Sequence, residues 1–179
     1  GNGFSLDVRG QEGDEHGTSI TYQELSKDVK PGDTILIDDG LIGLTVKEIT
    51  ADAIVCQVAN GGELGQKKGV NVPNVSVGLP DVTDKDKEDI LFGIAQGFDF
   101  IAASFVRSAE CIRTIRSLLK ENGGKHMQTI AKIENAEGVE NTDAILEEAD
   151  GIMVARGDLG VAITADEGSY LQQRHTAQC

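Results

Sequence analysis

From about Asp84 to Ala155 the chain alternates short apolar runs with stretches of helical period, and this alternation constrains its fold more than any other feature. Asp84 to Gln96 is rich in helix formers, with Ile90, Leu91 and Ile94 on one side. Phe98 to Phe105 reads as a buried strand. Cys111, Ile112, Ile115, Leu118 and Leu119 then recur at helical spacing, and Asn122-Gly123-Gly124 stops that helix. Gln128 to Glu134 is the next predicted strand. Asn141 to Ala149 is the next helix, with Asn141 or Thr142 as its N-cap. Gly151 to Ala155 is a third strand, and a further helical piece begins at Gly160. Strands separated by helices predict a parallel β/α architecture. Each strand also ends in polar groups: Ser104, then Lys132 and Glu134, then Asp158. A β/α barrel gathers functional residues at the C-terminal ends of its strands, and an open doubly wound sheet places ligands there too.

The first part of the chain has a different pattern. Asp33–Asp38 and Leu41–Val46 are β-prone runs split by the turn dipeptide Asp39-Gly40, and Ala53–Val58 is a third such run that ends at Asn60-Gly61-Gly62. A small antiparallel barrel or sandwich is expected over residues 1–77, followed by a β/α region over 78–179. The Gly-rich, charged stretch from Gly1 to Thr18 is expected to be irregular.

Composition narrows the function. A formal net charge of −14 argues against a nucleic-acid partner, which calls for basic patches. Aromatics at 4% with no Trp offer few surfaces on which bases could stack. No apolar stretch approaches the roughly 20 residues that span a bilayer, so no membrane partner is expected. Cys56, Cys111 and Cys179 are far apart and form no CxxC pair, as expected for reduced thiols in a cytoplasmic protein.

Lys132 and Glu134 are alternate residues of one strand and project to the same face, while Ile133 packs the other way. A cation beside an anion at a strand end can meet negative charge on a substrate while the carboxylate holds a metal. Asp158, after the next apolar run, can add a second oxygen ligand. One or two carboxylates plus substrate oxygens usually suffice for Mg²⁺. The plainer readings are a structural Lys132–Glu134 ion pair and a helix-capping Asp158. Asp38-Asp39 can simply be a turn, Lys68 a solvated surface lysine and Ser104 a hydrogen-bonded hydroxyl.

The segments around these residues carry a resemblance. Ile130-Ala131-Lys132-Ile133-Glu134-Asn135-Ala136-Glu137-Gly138 resembles the active-site signature of pyruvate kinases, and Met153-Val154-Ala155-Arg156-Gly157-Asp158-Leu159-Gly160-Val161 resembles their second hallmark. Asp38-Asp39-Gly40-Leu41-Ile42, Lys67-Lys68-Gly69-Val70-Asn71-Val72-Pro73 and Ala103-Ser104-Phe105-Val106-Arg107 resemble further family segments, in the family's order. The resemblance implies an α/β fold: part of a TIM (β/α)8 barrel with an inserted small all-β lid domain, residues 1–77 being the lid. It implies phosphoryl transfer between phosphoenolpyruvate and ADP, giving pyruvate and ATP, with Mg²⁺ or Mn²⁺ and K⁺ as cofactors and a homotetramer as the common assembly.

By the same resemblance, Lys132 stabilises the phosphoryl group in flight, and Glu134 and Asp158 are the divalent-metal ligands. Gly157 meets the substrate through its backbone N–H, Ser104 lines the site, and Lys68 contacts the nucleotide. Asp38 and Asp39 form an acidic pair facing the cleft. The chain is expected to be truncated at both ends. On that expectation the K⁺ ligands, further phosphate ligands and a substrate-binding threonine lie outside it, and the isolated piece does not turn over. Ala162-Ile163-Thr164 and Gly168-Ser169-Tyr170 depart from the usual continuation of the second hallmark. Two other functions stay open at this point. One is a non-catalytic remnant that binds metal and nucleotide, and the other is a metal-dependent barrel aldolase that uses phosphoenolpyruvate or pyruvate.

Overall fold

The computed structural model describes residues 2–10 and 12–162. The chain divides into two compact units, Gly1–Leu79 and Pro80–Cys179.

The first unit contains β1 (Gly3–Asp7), β2 (Gly17–Ser19), α1 (Leu25–Asp28), β3 (Thr34–Ile37), β4 (Ile42–Ile49), β5 (Ala53–Asn60) and β6 (Val70–Asn71). The six strands form one sheet in the order β2-β1-β5-β4-β3-β6. Alternation sets the buried face: Leu6, Ile35, Ile37, Leu44, Val46, Ile54 and Cys56 are each at most 2% exposed. The β3–β4 hairpin turns through Asp38, Asp39 and Gly40, with φ of 55°, 53° and 87°. Short polar side chains and glycine are the residues that tolerate this left-handed backbone. Two expectations need correction. Residues 1–18 are not irregular throughout, because β1 pairs antiparallel with β5 and β2 pairs with β1. Nor is the sheet wholly antiparallel, because the β1–β2 pair is parallel.

The second unit contains α2 (Asp84–Gln96), β7 (Phe100–Ala103), α3 (Ala109–Glu121), β8 (Gln128–Ile133), α4 (Ala136–Glu140), α5 (Thr142–Glu148), β9 (Gly151–Val154) and α6 (Arg156–Ala162). β7, β8 and β9 form a parallel sheet in chain order. One face packs Ile101, Ala103, Ala131, Ile133 and Ile152 into a core with Ile112, Ile115 and Leu119 of α3 and Ile145 of α5. The alternate positions Phe100 and Met153 are 58% and 47% exposed, so among the described residues the apolar cover lies on one side.

Helix ends follow local chemistry. Thr83 and Asp86 form a reciprocal capping box at the start of α2, and Gly97 ends that helix at φ 72°. The strand expected over 98–105 is shorter, since Phe105 has turned to φ 54°. The helix expected over 141–149 is α5, with Asn141 at its N-cap position, and the short helix α4 precedes it. Asn135 caps α4 with its side chain, accepting from Gly138 N–H at 2.7 Å. Asn141 makes no such cap and donates its Nδ2 to the Arg107 carbonyl at 2.9 Å. The last helix begins at Arg156, earlier than the expected Gly160. Among the described residues no helix is long and apolar enough to cross a membrane. Cys179 and Ile163 to Tyr170 lie outside the described residues.

Burial pushes the thiols of Cys56 and Cys111 up to about 11. The unfolded thiol ionises near pH 9, so between about pH 9 and 11 the unfolded chain releases protons that the folded chain retains. Both thiols therefore contribute stability that is fully present below pH 9 and lost as pH rises toward 11. At pH 8 a thiol-specific disulfide reagent is expected to leave both unmodified in the folded protein and to label them in denaturant. Peptide mapping of the labelled chain checks this, and rapid native labelling of either residue contradicts it.

Candidate active site

β8 carries Lys132 on the face opposite the helix-packed core and delivers Glu134 one residue past its end. The two side chains meet: Lys132 Nζ lies 2.6 Å from Glu134 Oε1. Lys132 Nζ also donates to Ser104 Oγ at 3.0 Å, just beyond the end of the neighbouring strand β7. The second carboxylate oxygen, Oε2, accepts from the Phe105 backbone N–H at 2.7 Å. The Glu134 side chain is 1% exposed and that of Lys132 is 23% exposed. A carboxylate this buried requires such partners, since an unpaired buried charge is strongly unfavourable.

The loop from Ser104 to Ser108 is held from several directions. Val106 N–H donates to the Lys132 carbonyl at 3.3 Å. Arg107 pairs with Asp81 at 2.8 Å, and Ser108 caps α3. Gly138 packs against the same loop so closely that a Cβ there would sit 2.4 Å from the Val106 carbonyl oxygen. Gly138→Ala is therefore expected to destabilise the unit by about 1–3 kcal/mol through overpacking against backbone. Urea unfolding of the chain tests this, and an unchanged midpoint contradicts it.

β9 is the other neighbour of β8, with Ile133 paired to Val154, and it leads directly into α6. Gly157 and Asp158 lie in the first turn of α6, and both are exposed. The turn closes through Leu159 N–H donating to the Ala155 carbonyl at 2.9 Å, so Asp158 is inside the helix and not its N-cap. A Cβ built at Gly157 would meet nothing within 4 Å, and its φ is not positive. Neither packing nor backbone conformation among the described residues requires glycine there.

Glu134 and Asp158 are anionic oxygen donors, the ligand type that a hard divalent cation takes. Glu134 follows β8 directly, Asp158 lies in the first turn of α6 after the adjacent strand β9, and each Glu134 oxygen engaged above still has a lone pair. Among the described residues no group of three or more His, Cys, Asp or Glu side chains is placed to hold a metal ion. Mg²⁺ needs no such cluster, since one or two carboxylates with water and substrate oxygens can complete its shell.

In the first unit Lys68 Nζ lies 3.0 Å from Asp38 Oδ1, and Asp38 N–H donates to the Gly69 carbonyl at 3.1 Å. The hairpin turn thus meets the Lys67-Lys68 segment. Asp39 takes part as the second left-handed residue of the turn. The structure therefore brings together Lys132, Glu134 and Ser104 in one unit, and Lys68 with Asp38 in the other. Reasoning from sequence missed Phe105, whose contribution is a backbone N–H, and the supports Gly138, Asn141 and Arg107. The Ala103–Arg107 segment was itself the available signal, but no residue type in it announces a main-chain donor.

A family model described as "Pyruvate kinase, barrel domain" matches residues 3–179. A protein named pyruvate kinase from Clostridium acetobutylicum is 52% identical over 181 aligned residues, covering 100% of this chain and 38% of its own length. A pyruvate kinase from Geobacillus stearothermophilus is 57% identical over 163 residues, covering 90% of this chain and 28% of its own length. A third, from Bacillus licheniformis, is 56% identical over 163 residues, with the same coverage of 90% and 28%. The chain thus spans between 28% and 38% of the length of these relatives.

Proposed function

This chain belongs to the pyruvate kinase family, and we propose that it carries the phosphoryl-transfer centre of an enzyme moving phosphate from phosphoenolpyruvate to ADP. The observation that supports this most is the convergence of Lys132, Glu134 and Ser104 at neighbouring strand ends. Phosphoryl transfer asks for positioning and charge neutralisation more than covalent participation by the protein. Lys132 is the residue we assign to the equatorial oxygens of the phosphoryl group, and its ammonium is already pointed by two oxygen partners. Glu134 and Asp158 would hold Mg²⁺ or Mn²⁺, which when bound supplies further positive charge against those oxygens. The Gly157 backbone N–H would meet the substrate, which accounts for a glycine that neither packing nor conformation demands. Lys68 would contact the nucleotide phosphates from the first unit, read here as the lid, with Asp38 holding it meanwhile and Asp39 shaping the turn. Ser104 lines the site and orients Lys132. Two buried free cysteines suit the reducing cytoplasm, where this reaction belongs.

The decisive experiment replaces the aligned stretch of the Clostridium acetobutylicum relative with this chain. Pyruvate release from phosphoenolpyruvate and ADP is followed through lactate dehydrogenase. ADP-dependent turnover is expected. A folded chimaera that binds Mn²⁺ but releases no pyruvate would leave the non-catalytic remnant as the better reading.

A further inference from the structure

Phe105 occupies a backbone conformation that bulky residues rarely adopt, with φ of 54°. Its ring does not repay this by burial, since the residue is 51% exposed. What the conformation achieves lies in the main chain. It ends the line of β7 and turns two successive amides toward the end of β8, so that Phe105 N–H reaches Glu134 Oε2 at 2.7 Å and Val106 N–H reaches the Lys132 carbonyl at 3.3 Å. The far side of the loop is fixed by the Arg107–Asp81 pair, by Asn141 on the Arg107 carbonyl and by the tight Gly138 contact. Strained backbone persists where surrounding structure over-determines it, and such places cluster at functional sites.

We infer that Phe105 is a positioning residue whose backbone N–H fixes the Glu134 carboxylate in the orientation that receives a divalent cation. The inference rests on the assignment of Glu134 as a metal ligand. Lys132 alone could not fix that orientation, because its flexible ammonium follows the carboxylate wherever it rotates. A backbone donor on a pinned loop cannot follow. It restricts rotation of the carboxylate, and each oxygen keeps a second lone pair. The aromatic ring takes no part in this.

The test uses the full 179-residue chain and Mn²⁺ alone, with free Mn²⁺ read by electron paramagnetic resonance. Phe105→Gly keeps the N–H and accepts positive φ freely. It is expected to bind Mn²⁺ within about twofold of the parent, given that partners orienting a metal ligand typically account for about 10–100-fold when lost. Phe105→Pro removes the N–H and is expected to weaken binding by about 10-fold or more. A second readout needs no metal and no disruptive variant: the Phe105 amide proton should resonate far downfield in the parent and move upfield in Glu134→Ala. Equal binding by Phe105→Pro and parent would overturn the inference. So would binding by Phe105→Gly as weak as that of Phe105→Pro, or an amide proton indifferent to Glu134. A parent that shows the downfield amide but no Mn²⁺ binding would instead remove Glu134 from the metal site, and with it this role of Phe105.

Discussion

Lys132→Met is expected to abolish turnover in the chimaera, lowering kcat by about 10³-fold or more, the range seen when a donor to developing transition-state charge is removed. Methionine preserves much of the lysine stem while removing its charge, so the loss reports the ammonium and not its packing. The same change also has a structural effect that must be separated from the catalytic one. Glu134 is 1% exposed and loses its 2.6 Å partner, retaining only the Phe105 N–H. An uncompensated buried carboxylate is expected to reduce stability by up to about 3 kcal/mol, somewhat below the figure for fully buried pairs because Lys132 is partly exposed. The double variant Lys132→Met/Glu134→Gln separates the two effects. Neutralising Glu134 should restore most of the lost stability in urea unfolding and none of the turnover. Recovery of turnover along with stability would mean that Lys132 matters only as an ion partner.

How much of this was visible beforehand depends on how local the determining chemistry is. The bounds of α2 were readable from its run of helix formers, and in the structure Thr83, Asp86 and Gly97 fix those ends. The placement of Lys132 and Glu134 on one face followed from strand period alone, and the structure adds that they touch. β1 was missed because the glycines and charges of the surrounding Gly1–Thr18 stretch hide a strand whose partner, β5, lies some fifty residues later in the chain. α4 was missed because five residues carry too little period to detect. Its position depends on Asn135 capping and on Gly138 fitting beneath Val106. The Phe105 turn was wholly invisible. Phenylalanine after Ala-Ala-Ser predicts continued strand, and contacts from distant residues such as Asp81, Asn141 and Gly138 hold it elsewhere. Lys132, Glu134 and Asp158 were therefore nameable from type and spacing. The Phe105 N–H was not, because its φ is decided by non-local packing.

Glu134→Gln is the second large effect expected, and it separates a metal ligand from an ion partner. The substitution keeps size and shape but replaces one oxygen with an amide NH₂. Both Glu134 oxygens face donors, Lys132 Nζ at 2.6 Å and Phe105 N–H at 2.7 Å. Whichever way the amide is turned, its NH₂ therefore opposes a donor. That mismatch in a buried site is expected to cost about 1–3 kcal/mol of stability. If Glu134 served only to hold Lys132, the turnover that remained would show an unchanged dependence on Mg²⁺. As a metal ligand, Glu134 has a further role, because a neutral amide is a far poorer partner for a hard dication than a carboxylate. The Mg²⁺ concentration giving half-maximal turnover should then rise by about 100-fold, at or beyond the loss seen when mere supports of metal ligands are removed. Raising Mg²⁺ should recover part of the rate, whereas no Mg²⁺ concentration should rescue Lys132→Met. Asp158→Asn should move the Mg²⁺ requirement in the same direction without the stability loss, since Asp158 is exposed. A Glu134→Gln chimaera with normal Mg²⁺ dependence and reduced stability would reduce the pair to an ion bridge and return the metal to other ligands.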